Sequence, residues 1–195
     1  MELYQWPNYN QYVQAQIKGS RRRFHRRPLA NDREFDRMAG WLHKANRVPE
    51  SAVCHGARCG TEVALLKRRF PEAEVIGTDL SPIDEVNVVK ADFHEDRPEW
   101  RGKFGLVYSN SLDHSLKPLE CLQTWFGQLN DPGVLCLTWT FLHTLEDGPL
   151  PRPGGDCFGA NLHEYLSMCN KAGRVLDLLW VDMGHGQVVI VAERR

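Results

Sequence analysis

No two of the six cysteines are spaced C-x-x-C, and neither they nor the histidines fall at metal-ligand intervals, so the sequence predicts no redox dithiol and no structural zinc. Cys54, Cys59, Cys121, Cys136, Cys157 and Cys169 mostly stand in apolar runs, where a free thiol packs as a small hydrophobe. A reducing compartment is expected. No apolar run approaches the roughly twenty residues that span a bilayer, and Met1 is followed by Glu2 and a polar aromatic stretch in place of a charged-then-apolar leader. The expectation is a soluble, cytoplasmic protein with no membrane partner. A large charge imbalance is missing as well: the formal net charge is -1, which removes any bulk attraction to nucleic acid. Internal repeats and low-complexity segments are absent.

Local charge is less even. Residues 1 to 50 carry ten Lys or Arg against five Asp or Glu, and Arg21, Arg22, Arg23, Arg26 and Arg27 cluster before Pro28. This run reads as a solvated basic loop, or as a contact for an anionic acceptor. With 195 residues, 42% of them hydrophobic, one sizeable core is expected and two domains are not. The predicted organisation is a single domain, with residues 1–50 as a helical basic cap and residues 51–195 as the core.

Tyr9, Tyr12, Val13 and Ile17 mark an amphipathic helix within residues 4–17, and the aromatic cluster of Tyr4, Trp6, Tyr9 and Tyr12 is either its buried face or a cover over a ligand mouth. Asn31 with Glu34 resembles a capping box ahead of a second helix, whose buried face is Phe35, Met38, Ala39 and Leu42. From there strands (Ala52–His55, Glu74–Leu80, Val86–Phe93, Phe104–Ser109, Gly133–Thr140) alternate with helices (Thr61–Phe70, Pro118–Leu129, Leu162–Ala172). The link Ser81–Glu85 is too short for the usual crossover helix. Arg174–Val181 and Gly186–Ala192 are joined around Gly184-His185-Gly186, which favours a closing hairpin with His185 as a turn residue. The fold class predicted is α/β and Rossmann-like: a mostly parallel seven-stranded sheet with a carboxyl-terminal antiparallel hairpin and helices on both faces.

The densest signal is Cys54-His55-Gly56-Ala57-Arg58-Cys59-Gly60, a strand running into a glycine turn and a helix, with Asp79 at a strand end nineteen residues after Gly60. This is how α/β sheets cradle the ribose of a nucleotide-like cofactor. Together with Val89-Lys90-Ala91-Asp92-Phe93, Phe104 to Ser111 and the Asn130-Asp131-Pro132-Gly133 turn, it resembles the class I S-adenosylmethionine-dependent methyltransferases over roughly Ser51–Arg195. The variant is G-A-R-x-G: Cys54 stands where that family commonly has an acid, and Arg58 where it commonly has a small residue. The resemblance implies S-adenosylmethionine as cofactor, held by Gly56, Ala57, Arg58, Gly60, Asp79, Leu80, Asp92, Phe93, Ser109 and Asn110. In this reading Asp79 takes the ribose hydroxyls and Asp92 the adenine amino group, with Phe93 against the ring.

Ser109-Asn110-Ser111-Leu112-Asp113-His114 leaves the Phe104–Ser109 strand at the edge where open α/β sheets bind ligands. His114, whose ordinary pKa lies near neutrality, is the candidate general base, with Asp113 to orient it or replace it. A capping Asp beside a surface His is the plain alternative. His143, Asp156 and Phe158 are the candidate acceptor contacts, the latter two on a candidate lid at Gly154–Gly159 within the Pro/Gly-rich stretch 149–159. No metal is expected. The leading function is O-methylation of a small molecule such as a sugar. Three alternatives stay open: a catalytically silent cofactor- or partner-binding protein, a nucleic-acid methyltransferase, which lacks an N-P-P-Y-like tetrad here, and a nucleotide-dependent oxidoreductase, which lacks G-x-G-x-x-G.

Overall fold

The computed structural model describes residues 1–22, 30–82, 87–144, 150–151, 155–182 and 186–195. In chain order the elements are β1 (Glu2–Leu3), α1 (Tyr9–Arg22), α2 (Asp32–Lys44), β2 (Ser51–His55), α3 (Thr61–Arg69), β3 (Glu74–Asp79), β4 (Val88–Lys90), β5 (Phe104–Ser109), α4 (Pro118–Gln128), β6 (Leu129–Trp139), β7 (Phe158–Gly159), α5 (Leu162–Ala172), β8 (Arg174–Asp182) and β9 (Gln187–Glu193). Seven strands form one sheet in the order β4-β3-β2-β5-β6-β9-β8. The pairs from β4 to β6 are parallel, and β9 runs antiparallel to both β6 and β8, the closing hairpin that the glycine-bearing connection predicts. Order reverses between β2 and β5, which opens a crevice beyond the carboxyl ends of these strands.

Period-two alternation builds two cores from one sheet. Val53, Val107, Leu135 and Leu137 face Trp125 and Phe126 of α4 and Tyr165 of α5. Ala52, Cys54, Leu106, Tyr108 and Cys136 face Phe35, Met38 and Leu42 of α2 and Leu66 of α3. Each such side chain, when fully buried, contributes about 1.5–3 kcal/mol of transfer free energy. All six cysteines are free thiols and five are buried.

The Asn31–Glu34 pair caps α2 as predicted: Asn31 Oδ1 accepts the Glu34 backbone N–H at 3.1 Å. The Glu34 carboxylate then continues into the core, where Tyr108 Oη (2.8 Å), Thr138 Oγ1 and Gln187 Nε2 (3.0 Å) donate to it. Burial raises its pKa against those hydrogen bonds. A polar anchor therefore fixes α2 to the sheet.

Two expectations need correction, and one element was not foreseen. The first helix does not stop near residue 17; it continues through Gly19 to Arg22, with Arg21 and Arg22 in its last turn, where cations favour the helix dipole. Arg23, Arg26 and Arg27 lie outside the described residues, as do Gly154 and His185. The strand after Ser81 is only Val88–Lys90, parallel to β3, because the chain turns at Ala91 into the Asp92–His94 cluster described below. Finally, a two-stranded ladder, β1 with β7, has no signature in the sequence.

Candidate active site

Beyond the carboxyl ends of β2, β3, β5 and β6 lies a cleft of about 910 Å3, counting the part open to solvent. It is bordered by Gly56, Ala57, Arg58, Cys59 and Glu62 from the β2–α3 turn, Asp79 and Leu80 after β3, Phe93, Asn110, Ser111, Asp113 and His114 after β5, His143 after β6, and Tyr12, Gln16 and Ser20 of α1. Its place outside the carboxyl ends of the strands is where open α/β sheets bind ligands. No helix among the described residues is long and apolar enough to cross a membrane.

The glycine turn is built by backbone geometry. Gly56 has φ +74° and Gly60, the N-cap of α3, φ +69°. A Cβ on Gly56 would stand 2.5 Å from Ser111 Oγ, so the first glycine is required both for the turn and for the approach of the β5 loop. Arg58 adopts φ +38° without being glycine. It is held there by Asp79, whose Oδ2 accepts the Arg58 backbone N–H at 3.1 Å while Oδ1 accepts that of Ser81 at 2.8 Å. Burial raises the Asp79 pKa against these bonds and the Arg58 charge.

Asp113, in the short 3-10 turn Leu112–His114, is the centre of the opposite wall. Its Oδ2 lies 3.9 Å from Nε2 of His114 and 3.9 Å from Nε2 of His143. Asp156 Oδ1 lies 3.5 Å from the same His114 nitrogen. The backbone locks this cluster: Cys157 N–H donates to Asp113 O (3.0 Å), and Ala160 N–H to His143 O (2.9 Å). Ligand atoms of Asp113, His114 and Asp156 all fall within 4.8 Å of one another, close enough for a cation, a grouping the sequence spacing conceals because Asp156 is distant in the chain.

Five expected ligand contacts do not border the cleft, Asp156 among them, which adjoins it through His114. Asp92 does not border the cleft: Tyr9 Oη donates to its Oδ2, and its Oδ1 meets the His94 backbone N–H (2.9 Å) and Nδ1 (2.7 Å). Burial alone would raise the Asp92 pKa, but the His94 and Tyr9 bonds outweigh it and lower it. Ser109 is fully buried and donates to His55 O at 3.1 Å, so Ser111 takes its place at the surface of the cleft. Phe158 is also fully buried, stacked 5.5 Å from Tyr165, because β7 pairs with β1 and carries it into the core. Gly60 shapes the turn from beneath and does not border the cleft. The basic run does not border it either in its described part, since Arg21 and Arg22 flank a separate surface with Lys18.

His94 Nε2 stands 2.8 Å from Ser115 Oγ, so Asp92, His94 and Ser115 follow the order of a nucleophile triad. Ser115 is fully buried and its Oγ accepts from Lys117 N–H at 3.1 Å, which makes the chain a strut between α1, β4 and α4. Sequence reasoning missed Glu62, Ser111, Gln16 and Ser20. Spacing of four between Tyr12, Gln16 and Ser20 marks one helix face and was the available signal for α1.

No protein-family model and no curated protein matches the chain. Solved structures do. Burkholderia thailandensis 1,6-didemethyltoxoflavin-N1-methyltransferase, with bound 1,6-didemethyltoxoflavin and S-adenosylhomocysteine, superposes with TM-score 0.74 at 14% identity, over 98% of this chain and 93% of that one. Human N-acetylserotonin methyltransferase in complex with S-adenosylmethionine gives 0.57 at 13% identity over 96% of this chain, which spans 56% of that enzyme. The cyclase SpnF gives 0.60 at 14% identity, over 82% of this chain and 80% of that one. What they share with this chain is the fold, a mostly parallel seven-stranded α/β sheet closed by an antiparallel hairpin.

Proposed function

We propose that the cleft binds S-adenosylmethionine and that the protein transfers its methyl group to a hydroxyl of a small molecule. One observation carries this reading: a glycine turn bonded to a strand-end carboxylate faces a histidine–aspartate cluster across one cleft. The residues fit the cofactor. Asp79 offers two adjacent oxygens, each with a lone pair beyond its backbone bond, to vicinal ribose hydroxyls. Leu80 and Phe93 supply apolar faces for the adenine. When bound, the cofactor supplies an electrophilic methyl group.

The rest falls to the protein's own side chains. His114 Nε2 receives the acceptor proton, and Asp113 and Asp156 stabilise the imidazolium that results. Asp113 also orients His143, the reserve base. Positioning the acceptor in line supplies most of the remaining acceleration.

A second reading has support of its own. A cyclase shares the fold, and an arginine in the left-handed conformation interrupts the glycine turn, so a cofactor-binding protein without methyl transfer is the competing proposal. Calorimetry with S-adenosylhomocysteine and NAD in parallel, followed by methyl transfer from labelled S-adenosylmethionine to pooled hydroxylated metabolites, decides among them. Binding of S-adenosylhomocysteine with acceptor labelling is expected. Binding of NAD alone overturns the cofactor, and tight S-adenosylhomocysteine binding without labelling favours the silent protein.

A further inference from the structure

Tyr12, Gln16 and Ser20 bring one face of α1 to the cleft over about 12 Å of helix. Two contacts fix how this face runs. Near its start, Tyr9 Oη donates to Asp92, and the Tyr12 ring meets His94 edge-on at 5.8 Å. One turn on, Gln16 Nε2 donates to Gly155 O, next in the chain to the Asp156 carboxylate that faces His114. The helix therefore passes from the Phe93 end of the cleft to the His114 end, and Ser20 lies a further turn beyond Gln16.

Gln16 and Ser20 both have hydrogen-bonding capacity that the proposed chemistry does not use. A serine inside a helix ordinarily returns its hydroxyl to the carbonyl one turn back. Ser20 Oγ does not: it is buried and has no hydrogen-bond partner among the described residues. An unsatisfied buried hydroxyl carries a desolvation penalty that a ligand hydroxyl relieves. Gln16 is 9% exposed and gives one amide N–H to Gly155, which leaves its other N–H and Oε1. Gly155, at φ +93°, lets the amide lie this close, since a Cβ there would stand 3.2 Å from Oε1. The surroundings are polar as well. Ser111, Asp113, His114 and His143 border this end, whereas the large apolar side chains Leu80 and Phe93 belong to the other.

Resting on the methyl-transfer reading above, we propose that Gln16 and Ser20 select the acceptor, and that the acceptor is a polyhydroxylated ring, a sugar or a cyclitol. One hydroxyl meets His114, and its neighbours pair with Ser20 Oγ and the Gln16 amide. A hydroxyl both donates and accepts, so it matches either group. A phenol offers a flat apolar ring in place of those neighbours, and it would leave Ser20 and Gln16 buried without partners.

The test measures methyl transfer from labelled S-adenosylmethionine by the full chain against two panels. One holds monosaccharides, methyl glycosides and cyclitols; the other holds phenols and catechols. The first is expected to contain acceptors with kcat/KM at least about tenfold above any in the second. For the best of them, Ser20→Ala and Gln16→Leu should each raise KM about fivefold, the size of one neutral hydrogen bond. Turnover and S-adenosylhomocysteine affinity should stay within about twofold of the wild type, and Ser20→Thr should recover part of the loss. Thermal melts add a readout that needs no acceptor: Ser20→Ala should melt no lower than the wild type, because the hydroxyl it removes has no partner among the described residues. Preferential labelling of phenols, or a KM unmoved in both variants, overturns the proposal and leaves methyl transfer standing. A lower melting temperature in Ser20→Ala also overturns it, since the hydroxyl would then serve the fold. Labelling of neither panel by a protein that binds S-adenosylhomocysteine overturns it together with the methyl-transfer reading. A wild type that does not bind S-adenosylhomocysteine refutes the cofactor reading itself, a separate result.

Discussion

Arg58 donates its backbone N–H to Asp79 Oδ2 across 3.1 Å, so the acid that ends β3 fixes the one non-glycine residue of the β2–α3 turn with a left-handed φ. Turn and acid are therefore a single device, and removing the carboxylate should act on both the turn and the ligand.

Asp79→Ala is expected to weaken S-adenosylhomocysteine by about 1.5–3 kcal/mol, the range for hydrogen bonds to charged groups. Asp79→Asn should fall short of the wild type too, because its amide NH2 would face a backbone N–H donor. Calorimetry on both variants measures this, and unchanged affinity would place the ribose elsewhere.

Gly56→Ala tests the approach of the β5 loop. The new methyl would meet Ser111 Oγ at 2.5 Å and Cβ at 2.6 Å at a φ of +74°. A loss of about 1–3 kcal/mol in unfolding free energy is expected. Adding Ser111→Gly should recover the steric part but not the conformational part, so a double-mutant cycle in urea should show coupling. Strict additivity would mean the two loops do not touch.

The sheet was legible because its signals are local: uncharged runs for buried strands, Pro118 opening α4, Asn31 capping α2. The glycine turn and Asp79 were legible for the same reason, their spacing being fixed by one β-α-β unit. What the sequence concealed depends on distant contacts. Asp92 has the position expected of a cofactor ligand, but Tyr9 from α1 and His94 engage both its oxygens. Phe158 sits in a loop by composition, yet the Leu3–Phe158 pairing buries it. Asp156 meets His114 only after β7 has been tied to β1, 155 or more residues away in the chain.

The different environments of Asp92 and His114 give opposite mutational outcomes. His114→Ala should lower acceptor turnover on the order of a hundredfold or more, the usual contribution of a general base, and leave S-adenosylhomocysteine affinity intact. Asp92→Ala should mainly destabilise, since it strands the half-buried His94 Nδ1 and frees Tyr9 of α1; about 1–3 kcal/mol is expected. Thermal melts alongside single-turnover rates separate the two. A turnover defect in Asp92→Ala without loss of stability would restore that residue to the site.

The pH dependence of stability should carry a signature of Glu62. Burial pushes its pKa up to about 7 from an ordinary 4.5, with Glu34 adding to the rise and Asn110 and Arg58 opposing it. Cys54 and Tyr108, the other titratable neighbours, are themselves held uncharged by burial. The folded state thus binds a proton that the unfolded state has already released between about pH 4.5 and 7, and ∂ΔG/∂pH is negative there. Glu62 contributes fully below the lower value, progressively less up to pH 7, and a constant deficit above it. At about 1.4 kcal/mol per pKa unit, that deficit is on the order of 3–4 kcal/mol. Glu62→Gln should remove this component, so the variant ought to gain on the wild type as pH rises from 5 to 8, and Glu34, unchanged in both proteins, cancels in the difference. Urea denaturation of the two proteins at pH 5, 6, 7 and 8 measures it; parallel stability curves would mean that Glu62 ionises at its ordinary pKa.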